Sequence, residues 1–274
     1  MLTYCISHKP LMFKNNQNIH HILLGDELLG KKELFSPCDF IYHISEIASD
    51  LDYLHNVLGG CAGTFAIARI LNASPEKWDE HEIISINQYR KFVHHESIGS
   101  PSLNYPGMMM ISSAEALELD VCEIQKSVTT PFLISQPLRV GNTYKQYCQS
   151  HKGQDLLRYT AIAIDLQIIE QGEAFDFFTT DILLPGGIEF GFFPASIFVD
   201  IVGKLEQICL NFAQTCSPTD TGRYNRRALA FCNERMGSYL LLKTLHKICG
   251  ASIPAEWFGY MHTASDNPTY FGSA

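Results

Sequence analysis

Gln88-Tyr89-Arg90-Lys91 places two adjacent cations directly after the buried-strand candidate Glu82 to Ile86 (EIISI). Such a pair can neutralise a departing diphosphate without a metal, and Arg adds a bidentate fit to phosphate oxygens. The plainer alternative is a loop of solvated cations. Ser7-His8-Lys9 closes another β-prone run, TYCIS, with a polar and basic step. Glu189 lies between Ile188 and Phe190 in an apolar, strand-like run. A carboxylate buried there is costly unless paired, and such groups are enriched at sites, whereas simple alternation would turn it to water. His151 precedes Asp155 by four residues, one helical turn, which suits an oriented imidazole, a cap or a polar contact. Arg227, Glu234 and Arg235 fall on one helical candidate. Arg227 and Glu234 are two turns apart and share a face, for a ligand or for a structural ion-pair network. Asp50-Leu51-Asp52 sits in a polar stretch that reads as a loop. A DxD there can hold a divalent cation against a nucleotide diphosphate, because hard cations take carboxylate oxygens. It fits equally a solvated loop, a helix cap or a donor contact without metal.

Other chemistries lose their support. No GxGxxG, GxxxxGK[ST], HExxH or GxSxG occurs, which removes the main signatures of dinucleotide, P-loop, zinc-protease and α/β-hydrolase sites. His20-His21 and His94-His95 are strand neighbours that point to opposite faces, so neither pair makes a two-ligand metal site. The net charge of −9 argues against nucleic-acid binding, while leaving room for a local basic pocket. The nine cysteines are odd in number and lack CxxC spacing, which points to buried thiols in a reducing, cytoplasmic setting. Met1 to Cys5 does not read as a signal peptide, and no run of about 18 apolar residues reads as a membrane span. Peripheral membrane association stays open.

The elements that must position these groups alternate. Strands are expected at Thr3 to Ser7, His20 to Leu24, Glu82 to Ile86 and Gly107 to Ile111, with another starting at Phe132. Cys61 to Leu71 reads as a helix stopped by Ser74-Pro75, and Ser49 to Asn56 as loop. The second half reads as more helical. Tyr144 to Glu170 is interrupted at His151-Lys152-Gly153, and Arg226 to Lys247 forms a second long candidate. Ser196 to Phe212 repeats apolar residues at 197, 201, 205, 208 and 212, one helix face, with Ser196 as its cap. Asp181 to Phe193 reads as a glycine-hinged turn followed by a strand. With 274 residues, 46% of them hydrophobic and 18% charged, the chain can form one large α/β domain with a mixed sheet and a helical C-terminal portion. In open α/β sheets ligands sit beyond the carboxyl ends of strands. That singles out Ser7 to Lys9 and Asn87 to Lys91.

Taken together, the motifs resemble a bacterial glycosyltransferase family of O-antigen and capsule loci, long described only as a domain of unknown function. Cys61-Ala62-Gly63-Thr64 stands where that family has Cys-Glu-Leu-Thr. Ile86 to Phe92 aligns with its His-Tyr-Arg-Arg-Tyr-Phe strand exit. Tyr147, His151 and Asp155-Leu156 fit its middle segment, and Glu189 to Phe192 its Asn-Met-Phe-Ile strand. Arg227, Glu234, Arg235 and Met236 fit its closing helix. The match runs from Tyr4 to about Leu245. The chain departs from the pattern at Ala62, Gln88, Lys91 and Glu189, as a divergent member would. The resemblance implies a GT-A type, Rossmann-like single domain over 1–274, with a nucleotide-binding part of about 1–135 and an acceptor part of about 136–274. It implies transfer of a hexose, with galactose as a candidate, from a UDP-sugar to a glycan or lipid-linked glycan at the cytoplasmic face of the inner membrane. Ser7, His8, Asp50, Asp52, Gln88, Tyr89, Arg90 and Lys91 would bind the donor. Glu189 or His151 would take the acceptor proton, with Asp155, Arg227, Glu234 and Arg235 as further motif residues. No protein metal ligand is assigned, and Mn2+ or Mg2+ is left open as a cofactor. Two other readings are a nucleotide-sugar or glycan binder without turnover, and an assembly subunit on the same scaffold.

Overall fold

The computed structural model describes residues 1–38, 40–73, 78–79, 82–103, 105, 107–216 and 227–267. The chain opens with three strands that pair in parallel, β1 (Leu2–Ser7), β2 (Ile19–Leu23) and β3 (Ile41–His43). Three helices follow: α1 (Ile44–Ile47), α2 (Ser49–Leu58) and α3 (Cys61–Ala73). β4 (Ile83–Gln88) returns parallel to β1 on its other side, then reverses through Tyr89-Arg90 into β5 (Lys91–His94). Next come β6 (Ser100–Pro101), β7 (Met108–Ile111), α4 (Ser113–Glu118), α5 (Val121–Gln125), β8 (Ile134–Ser135) and β9 (Leu138–Arg139). The second half supplies α6 (Thr143–Cys148), α7 (Gly153–Asp165), α8 (Glu173–Thr179), β10 (Ile182–Leu183), β11 (Gly191–Pro194), α9 (Ala195–Thr215), α10 (Ala228–Cys249) and β12 (Phe258–Ala264).

Among the described residues ten strands form one mixed sheet in the order β3-β2-β1-β4-β5-β12-β7-β6, with β11 paired to β4 and β8 to β12. Two strands of the second half, β11 and β12, thus complete a sheet begun in the first. Alternation along β4 shows how the layers form. Ile84 and Ile86 enter the main core, while the side chains of Ser85 and Asn87 point the other way and bond to Gln125 of α5. The main core runs from Tyr4 and Ile6 through Phe65 of α3 to Leu205 of α9 and Leu245 of α10. Burying Ile201, Leu205, Ile208 and Phe212 of α9 stabilises the fold by roughly 2 kcal/mol each before entropy is counted. Their spacing is the helical face expected from sequence.

Three local expectations change. Residues 49–56 are helical, because Leu51 and Leu58 bury a helix-spaced face. α9 begins at Ala195 after Pro194, so Ser196 is its second residue and not its cap. Glu189 precedes β11 in a turn, and is not within a strand. The stop at Ser74-Pro75 and the helix start at Arg226 lie outside the described residues.

Candidate active site

β1 and β4 are neighbours and parallel, with Ile6 opposite Gln88, so their carboxyl ends open at one edge of the sheet. Ser7-His8-Lys9 leaves from one end and Gln88-Tyr89-Arg90-Lys91 from the other. The second segment is a tight reversal between antiparallel strands. Its backbone is tied on both sides: the Tyr89 N–H donates to the Ile6 carbonyl, and the Ala264 N–H to the Arg90 carbonyl. The His8 ring stands edge-on to Tyr89 at 4.6 Å, and the Arg90 guanidinium lies 5.6 Å from the same ring. The Lys91 amine lies 5.6 Å from the Phe190 ring.

α10 brings the second set of charges to this edge. Arg227, exposed at the N-cap, lies 5.6 Å from the ring of Phe231 one turn on. One turn further, Glu234 accepts the Gly186 N–H at 2.8 Å. Arg235 is buried, donating to the Phe231 carbonyl, to Glu234 and to Gln146, with its guanidinium 5.4 Å from the Tyr147 ring. The Leu184 N–H donates to Ser238, so the glycine turn is pinned to α10 at two points. That turn presents Glu189.

Two cavities adjoin here. One, about 560 Å3, is lined by His8, Lys9, Gly25, His55, Gly60 and Arg227 among others. The other, about 410 Å3, is lined by Arg90, Lys91, His151, Phe231, Glu234 and Arg235 among others. The Nε of Arg235 and Oγ1 of Thr263, in residues lining the second, have no hydrogen-bond partner among the described residues. Glu189 lies at the junction: a Cβ built on Gly60, which lines the first cavity, would stand 3.4 Å from its carboxylate, and its neighbour Phe190 lines the second.

The electrostatics follow from this crowding. Burial pushes the Glu189 carboxyl up to about 7, with the Glu234 charge adding to the rise, and hydrogen bonding from Cys61 and Asn233 and the Lys91 charge opposing it. Burial and the neighbouring Arg90 lower the Lys91 pKa, against the pull of Glu234 and Glu189. Burial of the inner side of His8, then the charges of Lys9, Arg90 and Arg227, push it down to about 4, so it is neutral at pH 7. Cations thus converge locally on a chain of net charge −9. That field favours a phosphate group.

The expected residues divide. His8, Gln88, Tyr89, Arg90, Lys91, Glu189, Arg227, Glu234 and Arg235 come together around this edge, with His151 across the second cavity. Ser7 does not take part, because its side chain is fully buried beside Cys5. Asp50 is also removed: Arg69 clasps both its oxygens at 2.7 Å and holds its carboxyl below the usual range. Asp52 is on the same helix two residues on, roughly 200° around it, so the pair cannot converge on one cation. That acidic motif does not fit a metal site, and no group of three metal-ligating side chains forms among the described residues. His151 is stacked on Phe231 at 4.2 Å and precedes α7, whereas Asp155 is buried inside its first turn.

Nothing in the sequence pointed to the contacts that Cys61 and Asn233 make beside Glu189. Cys61 reads as a buried thiol that opens a motif, with no link to Glu189, yet its Sγ donates to Glu189 Oε1 at 3.0 Å. Asn233 had a signal: it is polar on the apolar stripe of Leu229, Met236 and Leu240.

No family model and no curated protein matches the chain. Among solved structures, the apo form of WbbM, a bifunctional glycosyltransferase, is similar with a TM-score of 0.71 and 14% identity. The match covers 96% of this chain and 45% of that one, so this chain spans less than half the length of its structural neighbour. At that identity the likeness concerns the fold: a mixed α/β, Rossmann-like sheet with packed helices, shared with a glycosyltransferase.

Proposed function

We propose that this chain is a glycosyltransferase that moves a hexose from a UDP-sugar to a glycan or lipid-linked glycan acceptor in bacterial surface polysaccharide synthesis. The observation that carries the reading is the convergence of Arg90, Lys91 and Arg227 on one sheet edge, beside Glu189 and between two cavities. The shared fold and the order of motifs from Cys61 to Arg235 support it. The nucleoside occupies the cavity of His8, His55 and Gly60. Arg90, Lys91 and Arg227 face the diphosphate and stabilise the charge that grows as the glycosidic bond breaks. The acceptor enters the cavity of Phe231 and His151, and Glu189 takes the proton of its hydroxyl. His151 contacts the acceptor by stacking. The family resemblance supports work at the cytoplasmic face of the inner membrane. Among the described residues no helix is long and apolar enough to cross a membrane.

The test is a donor screen, beginning with UDP-galactose, read by thermal shift and by release of free UDP with and without chelator. A donor that raises the melting temperature and is slowly hydrolysed supports the reading, and Arg90→Ala then lowers UDP release at least 100-fold, the scale of losing an electrostatic contact in the transition state. Absence of any nucleotide-dependent shift overturns it. A shift with no turnover on any acceptor favours the binding-only reading.

A further inference from the structure

Glu189 is reached from inside the protein by a chain of side-chain hydrogen bonds. The Tyr159 hydroxyl, fully buried, donates to Asn233 Oδ1 at 3.1 Å. Asn233 Nδ2 donates to Cys61 Sγ at 3.3 Å, and Cys61 Sγ donates to Glu189 Oε1 at 3.0 Å. The chain crosses three helices, α7, α10 and α3, and ends on the turn before β11. All three donors are at most 1% exposed. Glu189 Oε2 lies instead at the junction of the two cavities, toward Gly60: a Cβ built there would stand 3.4 Å from it.

We propose that Cys61 and Asn233 are positioning residues, which hold one oxygen of Glu189 from the protein interior and leave the other to the reaction. The inference rests on the reading of Glu189 as proton acceptor given above. A thiol is an uncommon choice for this task, and its weakness has a use. A hydrogen bond donated to a carboxylate favours the charged form and lowers its pKa. A hydroxyl at position 61 would bond more strongly and make Glu189 a poorer base, while an alkyl group would release the carboxylate to swing. The thiol fixes direction while taking little basicity away. Asn233 directs the thiol proton toward Glu189, because its amide donates to the sulfur and leaves the carboxylate as the acceptor. Tyr159 in turn fixes which way the Asn233 amide faces.

The carboxyl titration of Glu189 tests this directly. It is followed by 13C NMR of Glu-labelled protein, with the resonance assigned by its loss in Glu189→Gln. Cys61→Ser lowers the midpoint by roughly half a unit or more, and Cys61→Ala raises it by a similar amount. The low-pH limb of turnover shifts in the same directions, whereas a merely structural defect lowers turnover at every pH without moving the limb. Should the alanine variant fail to fold, the serine variant decides alone. A midpoint unmoved in folded Cys61→Ser overturns the positioning role. If Glu189→Gln turns over donor and acceptor like the parent, the proton-acceptor reading falls and the catalytic part of this proposal falls with it, whatever the titration shows. The two failures are therefore distinguishable.

Discussion

At the scale of single residues, Glu189 links activity and stability with opposite signs. A proton acceptor must be ionised, so with a pKa of about 7 transfer should rise with pH through neutrality. Glu189→Gln should remove that dependence along with most of the rate. The same raised pKa means the folded chain binds a proton more tightly than the unfolded chain does. The stability this contributes is present below the unfolded value of 4.5 and is lost as pH rises through about 7. Glu189→Gln should therefore melt above the parent at pH 8, by on the order of 2 kcal/mol, and less so at pH 5. Calorimetry at the two pH values checks it, and equal melting temperatures at pH 8 would count against a buried ionised carboxylate. Legibility at this scale was uneven. Arg90 and Lys91 stood out because adjacent cations after an apolar strand are unusual. Asp50 misled, since its partner Arg69 is nineteen residues away and Glu206 of α9, the other acid on that guanidinium, is further still. Pairing across elements leaves no local trace.

At the scale of elements, the turn before β11 decides where Glu189 sits. Gly187 has φ of +55°, and a Cβ there would stand 2.9 Å from the Glu234 carbonyl and 3.0 Å from the Ser238 nitrogen. α10 and the turn touch backbone to backbone, and only glycine allows it. Gly187→Ala should destabilise the chain by about 1–3 kcal/mol in urea unfolding and lower turnover more than donor affinity, because it pushes Glu189 away from α10. A variant with unchanged unfolding and unchanged turnover would show that the turn yields freely. The periodicity of α9 and the apolar run of β4 were plain in the sequence, because α9 buries one complete face and β4 is buried on both. α2 was hidden because its exposed Tyr53 and Asn56 and its acidic first turn read as loop chemistry, while only two of its residues are fully buried.

At the scale of the whole molecule, the cationic edge works against the net charge of the chain. Attraction between it and a diphosphate is screened by salt, so donor affinity should weaken roughly tenfold between 0.05 and 0.5 M NaCl. Calorimetric titration with UDP across that range is the check; a flat response would place binding outside the Arg90, Lys91 and Arg227 cluster. The order of strands and helices gave the fold class, but not the sheet order, since pairings such as β11 with β4 join residues more than a hundred apart. One of these has a temporal consequence. β12, the last strand of the described chain, is slotted between β5 and β7, and its final residue bonds the carbonyl of Arg90. During synthesis, therefore, the sheet stays split between β5 and β7, and the reversal carrying Arg90 stays unlatched, until β12 has left the ribosome. Nascent molecules would expose two open strand edges for that interval, the kind of surface that recruits chaperones or self-associates. The edge that carries Arg90 is latched only when β12 joins the sheet.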